Sequence, residues 1–234
     1  MSLLRVEGLD AHYGQLHALH GVSFEVAAGE ALALIGANGA GKTTLFHTVC
    51  GLHGATRGEV LLDGQRLRGV PAHQVVRRGV ALVPEGRRIF PSLSVDENLR
   101  VAEDRVAAGR ARRWSRARIY RLFPDLRAAA DRRGTQISGG QQQMLAIGRA
   151  LLSEPRLLLF DEVSLGLSPV VVKQLYEVLQ NIRREGLTLV FVEQDVRRGL
   201  AFSDRVVCLH KGRVRLEGPA ATCTLDEVRR AYFG

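Results

Sequence analysis

The chain has 234 residues, 46% of them apolar, enough for one large α/β domain or two small ones. Its formal net charge is +9, and its three cysteines, Cys50, Cys208 and Cys223, are widely spaced and outside any C-x-x-C pattern. These features argue against a disulfide framework and a cysteine metal site, and no stretch approaches the roughly 18–20 apolar residues of a membrane span. Arg5, Glu7 and Asp10 do not suit a signal peptide, so a soluble cytoplasmic protein with reduced thiols is expected.

Leu3 to Leu9 alternates apolar and polar residues, as a half-buried strand does. Tyr13 follows in the turn Ala11-His12-Tyr13-Gly14, where an aromatic could stack on a nucleotide base or serve equally as an ordinary core residue. Val22 to Val26 is a second strand, Ala28-Gly29 a turn, and the unbroken apolar run Ala31 to Ile35 a buried strand. Gly36-Ala37-Asn38-Gly39-Ala40-Gly41-Lys42-Thr43-Thr44 then leads into a helical stretch, Lys42 to Cys50, stopped by Gly51. This is G-x4-G-K-T between a strand and a helix, the context that gives the pattern meaning. Its glycines let successive N–H groups point into one concavity, and the helix N-terminus adds partial positive charge. A triphosphate fits there, with Lys42 reaching the β- and γ-phosphates and the Thr43 hydroxyl one position of Mg2+.

Gly58 to Leu62 with Asp63-Gly64 gives a strand and tight turn, and Pro71 suits the first turn of a short helix to Arg78. Val80 to Val83 is a buried strand cut by Pro84, and Glu85 to Pro91 a loop. A helix starts after Ser94, with Glu97 completing a capping box. Arg112 to Phe123 is helical and ends at Pro124, so this middle region is expected to be a helical insertion between strands of one sheet. Ser138-Gly139-Gly140-Gln141 opens an amphipathic helix from Gln142 to Leu152, with Leu145, Ile147, Leu151 and Leu152 apolar.

Arg156 to Phe160 is too short for a helix and delivers Asp161 and Glu162 at its end, where parallel sheets bind ligands. Asp161 suits a second Mg2+ position and Glu162 the polarisation of an attacking water. Ser168 as N-cap and Pro169 open a helix carrying Val172, Leu175, Leu179 and Ile182 on one face, closed by Gly186. Leu187 to Val192 is another buried strand, ending at Glu193-Gln194-Asp195. A hairpin, Val206 to Leu209 and Val214 to Glu217, and an amphipathic helix to Tyr232 finish the chain. Strand–helix alternation argues for a mainly parallel α/β sheet.

Eleven arginines stand against four acids between Arg100 and Arg133, a net of +7, so most of the basic excess lies in one segment. Such a patch can face nucleic acid, anionic lipid or an acidic partner, or be a solvated helical face. Three lysines beside thirty arginines suggest codon bias and weaken the case for a selected patch.

Ser138-Gly139-Gly140-Gln141, upstream of the strand carrying Asp161, resembles the signature sequence of ATP-binding cassette (ABC) proteins. With Gly36–Thr44 and Leu157–Glu162 in this order, the likeness covers nearly the whole chain, and Tyr13 falls at the family's base-stacking position. GTPases and kinases have no such Ser-Gly-Gly-Gln, and the chain has no N-K-x-D guanine motif. The loop that senses the transmembrane partner usually carries Gln, here Glu85; the switch position, usually His, is Gln194; Val163 and Ser168 replace the commoner Pro and Asp. Glu85 adds a negative charge, and Gln194 can donate an amide hydrogen bond but cannot become cationic. With Ser164 to Pro169 and the ending Val228 to Gly234, these departures resemble the shorter ATPase subunit of branched-chain amino acid importers. Urea-importer subunits, which usually keep Gln at the Glu85 position, rank below.

The resemblance implies a P-loop (RecA-like) α/β fold with an N-terminal antiparallel β subdomain and an inserted α-helical subdomain. It implies one domain over 1–234: phosphate-loop core and β subdomain 1–88, helical insertion 89–137, signature helix, Walker B and remaining core 138–234. Two ATPase subunits would sandwich two ATP molecules, each phosphate loop facing the other's Ser138, Gly139, Gly140 and Gln141. ATP and Mg2+ would be held by the phosphate loop, Thr43, Asp161 and Glu85, with Glu162, Gln194 and Lys42 catalytic. Expected partners are two membrane permeases, a sibling ATPase in a heterodimer (a homodimer in isolation stays open), and a separate solute-binding protein. No nucleic acid is expected, and the place is the cytoplasmic side of the cell membrane. The competing readings are a lipid-exporter ATPase, sharing every nucleotide motif, and a non-transport ABC ATPase on ribosomes or DNA, supported only by the basic segment.

Overall fold

The computed structural model describes residues 2–104 and 112–233. Residues 105–111, with Arg105 and Arg110 of the basic segment, lie outside the described residues, as do Met1 and Gly234 at the chain ends.

The first two strands, β1 (Ser2–Tyr13) and β2 (Leu16–Ala27), form a hairpin. Both run longer than the alternation suggests, because register shifts between Val6 and Leu9 and again around Ala11 let the ladder continue. The buried β3 (Ala31–Ile35) and helix α1 (Lys42–Val49) come next, then β4 (Ala55–Leu62) and β5 (Gln65–Arg66) around Asp63-Gly64. Four of these strands build an antiparallel sheet, order β2-β1-β4-β5. This is the N-terminal antiparallel β subdomain that the resemblance implies, and the mainly parallel sheet expected from strand–helix alternation is the other one.

That second sheet contains β6 (Val80–Val83), β7 (Leu157–Phe160), β8 (Thr188–Val192), β9 (Arg205–His210) and β10 (Arg213–Pro219) as well as β3. Its order is β10-β9-β3-β8-β7-β6, with every pair parallel except the β9–β10 edge hairpin. Both faces are covered. Ala33, Ile35, Leu158, Phe160, Leu189 and Phe191 join one core cluster, beneath the helical part of the chain. Their neighbours Leu32, Leu34, Leu159, Val190, Val192 and Val207 join the other, against the antiparallel sheet and α1. Side chains alternate across a strand, so burial on both faces demands the unbroken apolar runs seen in the sequence.

The helices are α2 (Ala72–Arg77), α3 (Val95–Glu103), α4 (Arg116–Leu122), α5 (Pro124–Ala128), α6 (Gly139–Leu151), α7 (Pro169–Arg184), α8 (Val196–Phe202) and α9 (Leu225–Phe233). Ser94 caps α3 through the capping box with Glu97. Three helix starts differ from expectation, and two helices, α5 after Pro124 and α8, are not among the expected elements. Pro71 is the N-cap of α2 rather than a residue of its first turn. Arg112 to Ser115 stays outside α4, which begins at Arg116 with Ser115 as cap. Helix α6 starts at Gly139, three residues earlier than expected, because Ser138 and Gln141 form a second capping box. Helix α8, capped by Asp195, has no counterpart among the elements expected from the sequence.

Several arginines of the basic segment pair with acids, one inside the segment and two that the fold brings to it. Arg100 and Arg116 pair with Asp96 at 3.4 and 2.8 Å, Arg116 also with Glu103 at 2.7 Å, and Arg113 and Arg118 with Glu185. Arg118 also lies 4.1 Å over the buried Trp114 ring. These pairs support a structural, solvated helical face.

Asn98 on α3 is fully buried and clamps the loop that leads in from Glu85. Its Oδ1 accepts from Phe90 N–H at 2.9 Å, and its Nδ2 lies 2.9 Å from Phe90 O, 2.9 Å from Ser94 O and 3.3 Å from Leu93 O. Asn98→Ala strands these backbone groups and is expected to cost about 1–3 kcal/mol in urea unfolding. A midpoint equal to the parent's would show that the loop is held otherwise.

Candidate functional site

Gly36 leaves β3 where a side chain cannot fit: a Cβ there would stand 2.3 Å from Leu209 O. Gly41, the N-cap of α1, has φ 103°, a left-handed backbone that other residues rarely adopt. Ala40 N–H donates to Ala37 O at 3.0 Å, and Gly212 N–H, from the β9–β10 turn, donates to Ala40 O at 2.9 Å. The loop is thus braced by a hairpin distant in sequence. Asn38 and Gly39 form its exposed tip, and Thr43 is exposed with Thr44 half-buried behind it. Lys42 is buried, and its Nζ donates to Gly36 O at 2.7 Å and Ala37 O at 2.9 Å. Burial pushes its pKa down, against the opposing pull of the Glu162 and Asp161 charges.

Asp161 ends β7 only 3% exposed, and its N–H donates to Val83 O at 2.9 Å. Burial pushes its pKa up, the negative charges of Glu162 and Glu85 push it further, and the Thr43 side chain draws it down. Among the described residues its Oδ1 is buried without a hydrogen-bond partner. A desolvated, unpaired carboxylate oxygen beside a threonine and two further acids is the donor set a hard cation takes. No cluster of three His, Cys, Asp or Glu side chains able to hold a metal occurs among the described residues, so phosphate oxygens would have to complete the shell. Mg2+, which binds through one or two carboxylates and substrate phosphates, fits this set.

Glu162 adopts a left-handed backbone, φ 56°, costing about 1–3 kcal/mol for a residue with a Cβ. Its Oε1 accepts from Gln194 Nε2 at 2.8 Å, so the ends of β7 and β8 bring together two of the three expected catalytic side chains. Glu85 is exposed in the turn after β6, close enough to Asp161 to raise its pKa.

The Ser138–Gln141 turn is a separate unit. Ser138 Oγ accepts from Gln141 N–H at 3.2 Å, and Ser138 N–H donates to Gln141 Oε1 at 2.9 Å. A Cβ on Gly139 would meet the Arg87 guanidinium at 3.0 Å, and one on Gly140 would meet Val171 at 2.9 Å. These glycines are needed for packing within the chain, quite apart from any approach by phosphate. Arg87 donates to Gln142 Oε1 at 2.9 Å, which joins the Glu85 loop to α6. Among the described residues no hydrogen bond joins this turn to the phosphate loop. Sequence patterns do not single out Arg87 or Asn98, and they show Lys211-Gly212 as a hairpin turn but not as a brace for the phosphate loop; the polar side chain of Asn98 on an otherwise apolar helix face offers a signal.

Tyr13 is 45% exposed and stacks on His53, centroids 4.1 Å apart and planes inclined by 21°. It is therefore a surface ring and not a core tyrosine.

Known proteins agree with this geometry. Residues 19–164 match the family model for ABC transporters. The high-affinity branched-chain amino acid transport ATP-binding protein BraG of Pseudomonas aeruginosa is 43% identical, over 99% of this chain and 100% of that protein. A probable branched-chain amino acid transport ATP-binding protein LivF of Archaeoglobus fulgidus is 34% identical over 93% and 92%. A solved ATP-binding subunit of an ABC transporter superposes with a TM-score of 0.83 at 30% identity, covering 98% of both chains. The chain is thus a member of the ABC transporter family, an ATPase cassette.

Proposed function

We propose that this cassette powers an importer for branched-chain amino acids, and that its nucleotide chemistry is carried by the residues gathered at the ends of β3, β6, β7 and β8. The observation that carries the chemistry is the Glu162–Gln194 contact at 2.8 Å, beside a buried carboxylate and a buried lysine. The cargo assignment is supported by the relatives' names and by Glu85 and Gln194 at the loop and switch positions.

In this reading the open N–H groups at the start of α1 and the Lys42 ammonium take the phosphates, exchanging the neutral carbonyls of Gly36 and Ala37 for charged oxygens. Tyr13 offers an exposed ring face to the base. Thr43, Asp161 and Glu85 would hold Mg2+, which neutralises charge on the phosphoryl oxygens when bound. Glu162 orients and polarises the attacking water, and Gln194 donates its amide hydrogen to developing negative charge. The Ser138–Gln141 turn serves the ATP of a second ATPase subunit. Arg87 links that turn to the Glu85 loop, which we assign to the permease contact. Among the described residues no helix is long and apolar enough to cross a membrane, so attachment runs through permease partners on the cytoplasmic face. A sibling ATPase and a separate solute-binding protein complete the system. Arg121 and Arg132 are exposed and outside the ion pairs above, and they are the arginines we assign to the permease-facing surface.

Glu162→Gln is expected to lower the ATPase rate by roughly 10²-fold or more while keeping ATP binding, measured by phosphate release and equilibrium binding. A parent-like rate would remove Glu162 from its role. The same variant, tagged in its native cell and solubilised with MgATP, should co-purify two permeases, a sibling ATPase and an amino-acid-binding protein. Lipid-export components or ribosomal proteins in their place would overturn the importer.

Asp161→Asn removes a buried charge whose pKa is raised, so the parent bears a desolvation penalty at pH above that pKa and sheds it on protonation. Without nucleotide the variant should unfold in urea at the parent's midpoint or above, yet lose the extra stabilisation that Mg2+ adds to ATP. Retained Mg2+ dependence would exclude Asp161 as a ligand.

A further inference from the structure

Glu193 closes β8 with a side chain only 3% exposed, and nothing in the nucleotide chemistry above uses it. Its carboxylate is nonetheless the most heavily engaged in the site. Ser164 Oγ lies 2.9 Å from both oxygens, and the Tyr176 hydroxyl donates to Oε2 at 2.5 Å. The backbone N–H groups of Gln194 and Asp195 each donate to Oε1 at 3.2 Å. Arg198 Nη1 stands 3.5 Å from Oε1 and donates to Ser164 Oγ at 3.1 Å.

The donors come from three places that matter. Ser164 lies two residues past Glu162, in the turn where Leu165 N–H donates to Glu162 O. Gln194 is the neighbour in sequence whose amide reaches Glu162. Tyr176 belongs to α7, packed behind both, where its ring meets Phe191 and Phe202 edge-on. The two oxygens of a carboxyl group can take these donors together, whereas neither an apolar residue nor a hydroxyl could.

We propose that Glu193 is a positioning residue for ATP hydrolysis: it clamps the segment following Glu162 to the segment carrying Gln194, and so sets the contact between those two side chains. The proposal rests on the roles assigned above to Glu162 and Gln194. Glu162 sits on a left-handed backbone and Gln194 is an exposed side chain at a strand end, so neither position is fixed by regular structure. Both are fixed through Glu193.

The test is steady-state MgATP hydrolysis by the full-length chain. Glu193→Ala should lower kcat on the order of tenfold to a hundredfold, as misplacement of catalytic groups does, with KM for ATP within about twofold of the parent's. Glu193→Gln keeps an acceptor oxygen and should lose less. The Glu193→Ala/Gln194→Ala pair should lose clearly less than the product of the single losses, since both act on one contact. If Glu193→Ala does not fold, Tyr176→Phe with Ser164→Ala removes two donors and should lower kcat in the same direction with KM kept. Multiplicative losses, or KM and kcat failing together, would mark a merely structural residue and overturn the clamp. So would a slow Gln194→Ala beside parent-like Glu193 variants. A parent-like Gln194→Ala would instead remove the switch assignment, and the clamp's purpose with it.

Discussion

Parallel pairing of β3, β8, β7 and β6 is the constraint on which the site depends. Each strand is short, four or five residues, and is hydrogen-bonded in register with its neighbour, so all four end along one edge. Each strand leads into different chemistry: the phosphate loop after β3, Gln194 after β8, Asp161 and Glu162 after β7, Glu85 after β6. A polar residue cannot be moved inward without entering a sheet buried on both faces, nor outward without losing its neighbours. The sheet therefore fixes which functional groups meet before any one of them contacts another.

Burial at that edge is uneven, and the unevenness is informative. Lys42, Asp161 and Glu193 are all nearly inaccessible, but each is satisfied differently. Lys42 rests on two neutral carbonyls, Glu193 on a full set of donors, and Asp161 keeps one oxygen without a partner among the described residues. A fully satisfied carboxylate holds structure, whereas an unsatisfied one favours whatever cation can reach it. Two acids on adjacent strand ends thus have different work, although the sequence shows both as polar residues after an apolar run.

That contrast marks how far the sequence is legible. The phosphate loop, the paired acids and the Ser94 cap are readable because each is a local pattern with a local physical cause. The start of α6 is harder to place, because two glycines argue against helix while the Ser138–Gln141 spacing argues for it, and the capping box wins. Helix α8 escapes because it is only seven residues long with a central Gly199, too short for the Val196–Leu200 spacing to stand out as a period. The bracing of Ala40 by Gly212, the clamp by Asn98 and the pairing of Arg113 and Arg118 with Glu185 depend on how the folded chain brings side chains and loops together. No periodicity reports such contacts. The basic segment shows the cost: its net charge invites a binding surface, and much of that charge is consumed by acids the fold brings to it.

The same distinction bears on Gln194, one of the departures from commoner ABC patterns. A histidine at position 194 could act as a cation, and its neighbour would then face a charge that changes with pH. Gln194 carries no charge at any pH, so its side of the hydrogen bond to Glu162 is set by geometry and not by its own titration. A contact that depends on geometry needs a rigid frame, and Glu193 supplies one with a charge whose partners are all internal. Under the proposed clamp, Gln194 and Glu193 form one unit: the exposed amide makes the contact with Glu162, and the buried carboxylate beside it holds the strand end in place.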